Sequence, residues 1–238
     1  MTGMLALVGS GEYLPEMTAV EALLLAGRPP RYVQLATAAA PEGDASLARW
    51  HRLGREQAQR LDVEQVVVDV RDRSDADDPA LAALVEGAGL VYLSGGNPMF
   101  LAQTLRDTAV WAAIHRAWLG GASLAGCSAG AMALTGWVPS IRSLGRHPDH
   151  GLGLLPHLRV LPHFDRMLGW APDILTRALF RAPDGVAVLG IDENTALVGG
   201  PEEWTVHGHQ SVWLLGEGSR HEYPVGSPVV TRQLPARF

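Results

Sequence analysis

Residues 123–134 read SLAGCSAGAMAL, and this stretch decides the fold class that the rest of the chain must satisfy. The apolar SLA run is typical of a buried strand, and AMAL is typical of a helix. Between them the spacing G-x-S-x-G places Ser128 at the centre of a sharp turn, because Gly126 and Gly130 let neighbouring backbone pass closely. The stretch therefore predicts a strand–turn–helix unit that lifts the Ser128 side chain above the edge of a sheet.

Cys127 directly precedes Ser128 and is the only cysteine in the chain, so both residues are potential nucleophiles. In the G-x-S-x-G spacing, however, Cys127 does not occupy the centre of the turn. Its side chain is therefore predicted to point into the packing behind the turn, as a small buried hydrophobe. A single cysteine also excludes an intramolecular disulfide and a zinc site built from several cysteines.

Outward from this unit, short apolar runs alternate with helix-like segments as far as Gly136. Strands are predicted in LALVGSG, RYVQLATAAA, VEQVVVDV, GLVYLSGG and SLAGCS, with helices between them. This alternation predicts an α/β fold with a mostly parallel sheet sandwiched by helices. The later segments VAVLGIDENTALVGG and EWTVHGHQSVWLLG alternate polar and apolar residues, which predicts a terminal β-hairpin or meander. The polar segment RDRSDADDPA and the segment VPSIRSLGRHPDHG are predicted as loops and PDILTRALFRA as a helix, and the tail from Gly218 onward shows few periodic cues. Since no repeat or linker interrupts the pattern, residues 1–238 are interpreted as a single domain.

The overall composition argues against nucleic-acid and membrane partners. The chain has 238 residues, 47% of them apolar, and a formal net charge of −6. That charge provides no electrostatic attraction to nucleic acid, and no apolar stretch approaches the roughly 20 residues that span a bilayer. The N-terminal residues lack the basic flank and cleavage site of a signal peptide, so a cytoplasmic protein is expected. A homodimer is the base-rate expectation for its assembly.

A nucleophilic serine requires a base, since its hydroxyl is a poor nucleophile at neutral pH. Among the nine histidines, His163 is the favoured base because it ends the apolar run of VLPHFDR. In open α/β sheets, ligands bind outside the carboxyl ends of the strands, where this residue would lie. The helix that follows Ser128 directs the Ala129 amide to the same place, as a candidate oxyanion donor.

Other glycine-rich and histidine-containing segments suggest further sites. Gly96, in the LSGGNPMF loop, is the candidate for a second oxyanion donor, and the same loop has a helix start with Asn97 as N-cap. The GSGE stretch at 9–12 lacks the third glycine of a dinucleotide-binding loop. No carboxylate or cysteine completes a recognisable ligand set with the H-x-x-H and H-x-H pairs, so no metal site is predicted; these pairs are His147 with His150 and His207 with His209.

Together these residues resemble the dipeptidase E and cyanophycinase family of serine peptidases. LVGSGE, QLATAAAPEG, LSGGNPMFL, GCSAGAMAL, GLGLLPHL, LPHFDR and GIDENTAL occur in this order, so the resemblance covers most of the chain. It implies a class I glutamine-amidotransferase-like fold, with serine where the amidotransferases carry cysteine. It also implies that Ser128 is the nucleophile, His163 the base, and Gly96 and Ala129 the oxyanion-hole amides. Members of the family cleave peptide bonds beside aspartate, in dipeptides or in the polymer cyanophycin.

The third member of the triad departs from the family pattern. The family acid lies between the serine and the histidine, yet residues 129–148 contain neither Asp nor Glu. Asp149 is the one carboxylate left before His163, and it ranks first as the acid. Asp165, two residues after His163, and Glu193 in GIDENTAL are the alternatives.

The leading hypothesis is a serine hydrolase that acts on a small peptide or related amide, with an acidic residue as the candidate neighbour of the scissile bond. Ser128 would attack the carbonyl, His163 would transfer the proton, and water would release the acyl-enzyme, without cofactor or metal. The alternative is a binding module of the same fold that has lost its triad, a hypothesis motivated by the missing acid. An amidotransferase-like subunit that feeds ammonia to another protein is a third hypothesis, against which the serine argues.

Overall fold

A computed structural model describes residues 2–138, 150–170, 182, 185–216 and 219–231. Within these ranges, five parallel strands form one side of an eight-stranded sheet: β1 Leu5–Val8, β2 Arg31–Leu35, β3 Glu64–Val67, β4 Leu90–Leu93 and β5 Ser123–Cys127. Their spatial order is β3-β2-β4-β5-β1, and every neighbouring pair among them is parallel. The predicted mostly parallel sheet is therefore confirmed for this part of the chain.

Helices cover both faces of the large sheet, as predicted. The helices are α1 Thr18–Leu25, α2 Asp44–Arg60, α3 Arg73–Ala76, α4 Pro79–Ala83, α5 Pro98–Leu105, α6 Ala109–Leu119, α7 Ala129–Leu134 and α8 Phe164–Trp170, with 3-10 turns at Pro15–Met17 and Thr37–Glu42. Along β1, Leu5 and Leu7 join one apolar cluster, and Ala6 and Val8 join another. Because successive strand side chains point to opposite faces, each face of β1 is buried beneath its own layer.

The second half of the chain is divided between two sheets. Strands β8 Thr195–Gly199, β9 Glu203–Gly208 and β12 Pro228–Val230 extend the large sheet beyond β1 with antiparallel pairing. A separate four-stranded sheet has the order β11-β10-β7-β6 and contains β6 Leu158–Pro162, β7 Ala187–Ile191, β10 Ser211–Gly216 and β11 Ser219–Pro224. The predicted terminal meander thus contributes strands to both sheets, and the chain crosses from the small sheet to the large one at residues 192–194.

Two local predictions differ from the structure. The polar segment RDRSDADDPA was predicted as a loop, but it contains α3, whose N-terminus is closed by a capping box between Asp72 and Asp75. The tail from Gly218 onward shows few periodic cues in the sequence, but it contains β11 and β12. The helix predicted in PDILTRALFRA and most of the loop before β6 lie outside the described residues. Among the residues described, no helix is both long and apolar enough to cross a membrane.

Candidate active site

Ser128 lies at the tip of the turn between β5 and α7. Its backbone has φ 50° and ψ −106°, a conformation that costs a non-glycine residue about 1–3 kcal/mol and persists only where the surroundings enforce it. The Ser128 N–H donates to the Val8 carbonyl at 2.9 Å, and its carbonyl accepts from the Met132 N–H at 3.1 Å. Strand β1 and the first turn of α7 therefore hold the strained turn in place.

The two glycines of the G-x-S-x-G spacing are required because neighbouring backbone atoms leave no room for a side chain at either position. A Cβ on Gly126 would lie 2.5 Å from the carbonyl carbon of Gly130, and a Cβ on Gly130 would lie 2.3 Å from the Leu93 carbonyl oxygen. Neither glycine has a positive φ. The steric reason that the sequence suggested for this spacing is thus confirmed, and conformational freedom plays no part in it.

Cys127 is fully buried behind the turn, as predicted. Its Sγ lies 2.8 Å from Glu12 Oε2 and donates to that carboxylate oxygen. Burial, reinforced by the nearby Glu12 carboxylate, raises the pKa of the Cys127 thiol well above its usual range. A protonated, buried thiol is inert as a nucleophile, so Ser128 is the candidate nucleophile of the pair.

His163 lies between Ser128 and Glu193 and contacts both of them. It follows β6 in a left-handed conformation with φ 52°, and its Nε2 lies 3.0 Å from Ser128 Oγ. On the opposite side of the ring, Nδ1 lies 3.0 Å from Glu193 Oε1. Because a carboxylate can only accept, Nδ1 carries the proton and Nε2 is left to accept the proton of the Ser128 hydroxyl.

Glu193 is fixed in the turn between β7 and β8. Its Oε2 accepts from Arg166 Nε at 2.8 Å, and its backbone N–H donates to Asp165 Oδ1 at 3.0 Å. Gln210 Nε2 donates to the Glu193 carbonyl at 3.0 Å and to Asp165 Oδ2 at 3.3 Å. Asp165, one of the alternatives for the acid, therefore holds the backbone of Glu193 and does not face the imidazole.

Asp149, ranked first from the sequence, lies outside the described residues. The carboxylate that the structure brings to His163 is Glu193, which sequence reasoning had placed among the alternatives. A signal for it existed, since VAVLGI is an apolar run that ends immediately before Asp192. Strands β6 and β7 are parallel with Pro162 opposite Ile191, so the residues that follow both strands meet at one edge.

The glycine loop after β4 lies against the serine turn. An ideal Cβ on Gly95 would lie 3.6 Å from the Ser128 Cβ, and the Gly95 N–H donates to Glu12 Oε1 at 2.8 Å. Gly96 is exposed and has φ 136°. Among the described residues, neither the Gly96 N–H nor the Ala129 N–H donates to a protein acceptor. Both amides are thus available to a ligand beside Ser128.

The helix start predicted in the same loop is confirmed. Asn97 Oδ1 accepts from the Phe100 N–H at 3.0 Å, and α5 begins at Pro98. Over the part of the chain that the structure describes, no three His, Cys, Asp or Glu side chains are grouped to hold a metal ion. His147 lies outside that part, and the His209 ring contacts the Glu16 carbonyl at 3.2 Å.

Several known proteins are similar to this chain in sequence or in fold. The model of "Peptidase family S51" matches residues 45–206. A cyanophycinase of Trichormus variabilis is 29% identical over 203 residues, which cover 82% of this chain and 63% of the relative. A cyanophycinase of Geminocystis herdmanii is 32% identical over 161 residues, or 64% of this chain and 56% of the relative. The chain therefore spans less than two thirds of the length of these curated relatives.

A solved structure matches over almost the full chain. The crystal structure of a peptidase from an acI-B1 actinobacterium superposes with a TM-score of 0.90 and is 40% identical. The match covers 97% of each chain. The central sheet and its flanking helices are thus shared with a protein of similar length.

Proposed function

Because the chain belongs to peptidase family S51, we propose that it is a serine peptidase that cleaves a peptide or related amide bond through Ser128. The observation that carries this proposal is the continuous line of contacts from Ser128 Oγ to His163 Nε2 and from His163 Nδ1 to Glu193 Oε1, each 3.0 Å long. Such a line is what a serine nucleophile needs for activation at neutral pH.

Ser128 Oγ attacks the substrate carbonyl carbon while its proton passes to His163 Nε2. The oxygen of the tetrahedral intermediate becomes negative and accepts from the Gly96 and Ala129 N–H groups. Glu193 stabilises the imidazolium that forms, and His163 then gives its proton to the leaving amine as the C–N bond breaks. Water then attacks the acyl carbon of the acyl-enzyme as it loses a proton to His163, and the ester bond to Ser128 breaks as His163 returns that proton to Ser128 Oγ.

The substrate we propose carries a carboxylate next to the scissile bond. Arg166 uses Nε to bind Glu193, and its side chain is 70% exposed beside the triad. A guanidinium has donors to spare in this position, since its terminal nitrogens form a fork that matches a carboxylate. The relatives named cyanophycinase support the resemblance that implies cleavage beside aspartate.

A fluorophosphonate probe tests the proposed nucleophile. Wild-type protein is expected to be labelled at Ser128, and Ser128→Ala to show no labelling and no hydrolysis of aspartyl or isoaspartyl dipeptides, with an unchanged melting temperature. Ser74→Ala is the matched control, because it removes an exposed serine hydroxyl in α3. A wild-type protein that resists the probe and cleaves no dipeptide would favour a binding module of the same fold.

A further inference from the structure

The loop that follows β1 places a buried carboxylate behind the candidate active site. Glu12, in the stretch GSGE, is only 7% exposed. Its Oε1 accepts from the Gly95 N–H and its Oε2 accepts from the Cys127 Sγ–H, both at 2.8 Å. The Glu12 carboxylate thus contacts the glycine loop after β4 through one oxygen and the serine turn after β5 through the other.

These two contacts lie next to the two candidate oxyanion donors. Gly95 immediately precedes Gly96, and Cys127 lies two residues before Ala129. The Gly96 N–H belongs to the peptide unit that joins Gly95 to Gly96, so its direction depends on the backbone angles of Gly95. Consecutive glycines have no side chains to restrict those angles, and contacts from outside the loop must therefore supply the restriction.

The same N-terminal loop makes a second contact with the glycine loop. Tyr13 OH lies 2.6 Å from Ser94 Oγ, one residue before Gly95. Tyr13 is fully buried and packs its ring against those of Tyr32, Tyr92 and Trp50. Because Glu12 directly precedes this packed residue, its backbone is held in place, and its carboxylate can restrain the loop that it contacts.

We propose that Glu12 is a positioning residue of the oxyanion hole: its carboxylate fixes the Gly96 N–H relative to the Ala129 N–H by holding Gly95 and Cys127 together. This inference rests on the proposed peptidase function and assigns a role to the GSGE stretch that differs from phosphate binding. It also explains the glycine at position 95, where a Cβ would lie 2.7 Å from Glu12 Oε1.

The decisive variant is Glu12→Gln, which keeps the shape of the side chain but has one accepting oxygen. If that oxygen keeps the Gly95 N–H, the amide NH₂ faces Cys127 Sγ across a gap too short for an N–H···S contact, and one of the two loops is released. The control is Glu16→Gln, which makes the same change of charge on an exposed side chain of the same segment. Glu12→Leu removes both acceptors.

The readout is the fluorophosphonate reaction with Ser128, resolved into the binding constant KI and the maximal rate kinact. We expect kinact to fall about tenfold in Glu12→Gln and about 100-fold in Glu12→Leu, because the phosphonate oxygen occupies the oxyanion hole as the bond forms. KI and the pH of half-maximal labelling should stay at their wild-type values, since neither binding nor His163 is altered. Glu16→Gln should react like wild type.

The outcomes separate this inference from the function on which it rests. If wild-type protein is labelled and Glu12→Gln reacts at the wild-type rate, the positioning role is overturned while the peptidase proposal stands. A loss confined to KI, or a loss that disappears well below the melting temperature of the variant, also overturns it. If wild-type protein is not labelled at all, the proposed function fails and the positioning role fails with it. Should Glu12→Leu not fold, Glu12→Gln alone decides.

Discussion

At the scale of single residues, the Glu193 carboxylate accepts from two donors, and this predicts how the isosteric substitution Glu193→Gln would affect the reactivity of Ser128. Arg166 Nε donates to Oε2 and His163 Nδ1 donates to Oε1. In Glu193→Gln the amide oxygen would turn to Arg166, which leaves the NH₂ group facing Nδ1. The imidazole would then carry its proton on Nε2 and could not accept one from Ser128, so the labelling rate is expected to fall by about 10³-fold.

The experiment that checks this prediction also tests Asp149 and Asp165, the other two candidates for the triad acid. Labelling rates of Glu193→Gln, Asp149→Asn and Asp165→Asn are measured beside Glu56→Gln, a surface control in α2. Asp165→Asn keeps an oxygen that can accept from the Glu193 N–H, so its loss should be the smaller one. If Asp149→Asn lowers the rate more than Glu193→Gln does, the acid ranked first from the sequence is the true one.

The sequence was sufficient to predict the positions of Ser128 and His163 but not the carboxylate beside the histidine. Ser128 is identified by glycines two residues away on each side, so its signal is local. Glu193 reaches His163 only because β6 and β7 lie side by side in parallel. That pairing joins segments about 30 residues apart, and the spacing of residues along the chain does not encode it.

At the scale of elements, the close approach of helix α7 to strand β4 predicts that Gly130 cannot be replaced without a loss of stability. In Gly130→Ala the new Cβ would meet the Leu93 carbonyl oxygen at 2.3 Å, and that backbone atom cannot move without displacing the strand. The substitution should lower the free energy of unfolding by about 3 kcal/mol. Urea denaturation followed by circular dichroism measures the change.

Gly27→Ala is the control for Gly130→Ala, because it introduces a conformational cost without a steric clash. Gly27 has φ 72° and no atom within 4 Å of its ideal Cβ, so alanine there should cost about 1 kcal/mol through conformation alone. Equal losses in the two variants would mean that the close packing of α7 on β4 relaxes freely. Labelling of Gly130→Ala by the probe then reports whether the turn still presents Ser128.

The element pattern was predictable where a hydrophobic period or a glycine marked it. Strands β1 to β5 and the helices between them, apart from α3, follow apolar runs, and the structure confirms them. Helix α3 escaped prediction because side-chain caps at Asp72 stabilise it and it buries little apolar surface. The division of the later strands between two sheets depends on which strand each one pairs with in the folded protein. The sequence pattern of a single strand does not encode that pairing.

At the scale of the whole molecule, a buried acid makes stability depend on pH. Glu21 is 1% exposed and accepts from Tyr32 OH at 2.9 Å and from the Tyr13 N–H at 3.3 Å. Burial raises the pKa of Glu21 from 4.5 to about 7. The folded protein therefore prefers the protonated acid, and this contribution to stability is complete below pH 4.5 and is lost as the pH rises through about 7.

The loss attributable to Glu21 should be about 3 kcal/mol. The free energy of unfolding is measured by urea denaturation at about pH 4.5 and at about pH 8, for wild type and for Glu21→Gln. Glutamine carries no charge at either pH, so the variant should show the smaller decrease, and the difference between the two proteins isolates this residue. Glu86→Gln, on an exposed side chain, should keep the wild-type dependence. A Glu21→Gln protein with the wild-type pH dependence would contradict the prediction.

Strand β1 precedes the other described strands in the sequence, yet one of its edges is covered by β8, which lies nearly 200 residues later. As the chain leaves the ribosome, β1 can pair with β5 early, but its other edge has no partner until residues 195–199 emerge. An unpaired edge in a nascent chain is an aggregation hazard and a natural target for chaperones. Glu193 emerges just before the same strand, so under the proposed function the triad is completed only when β8 becomes available to cover the exposed edge of β1.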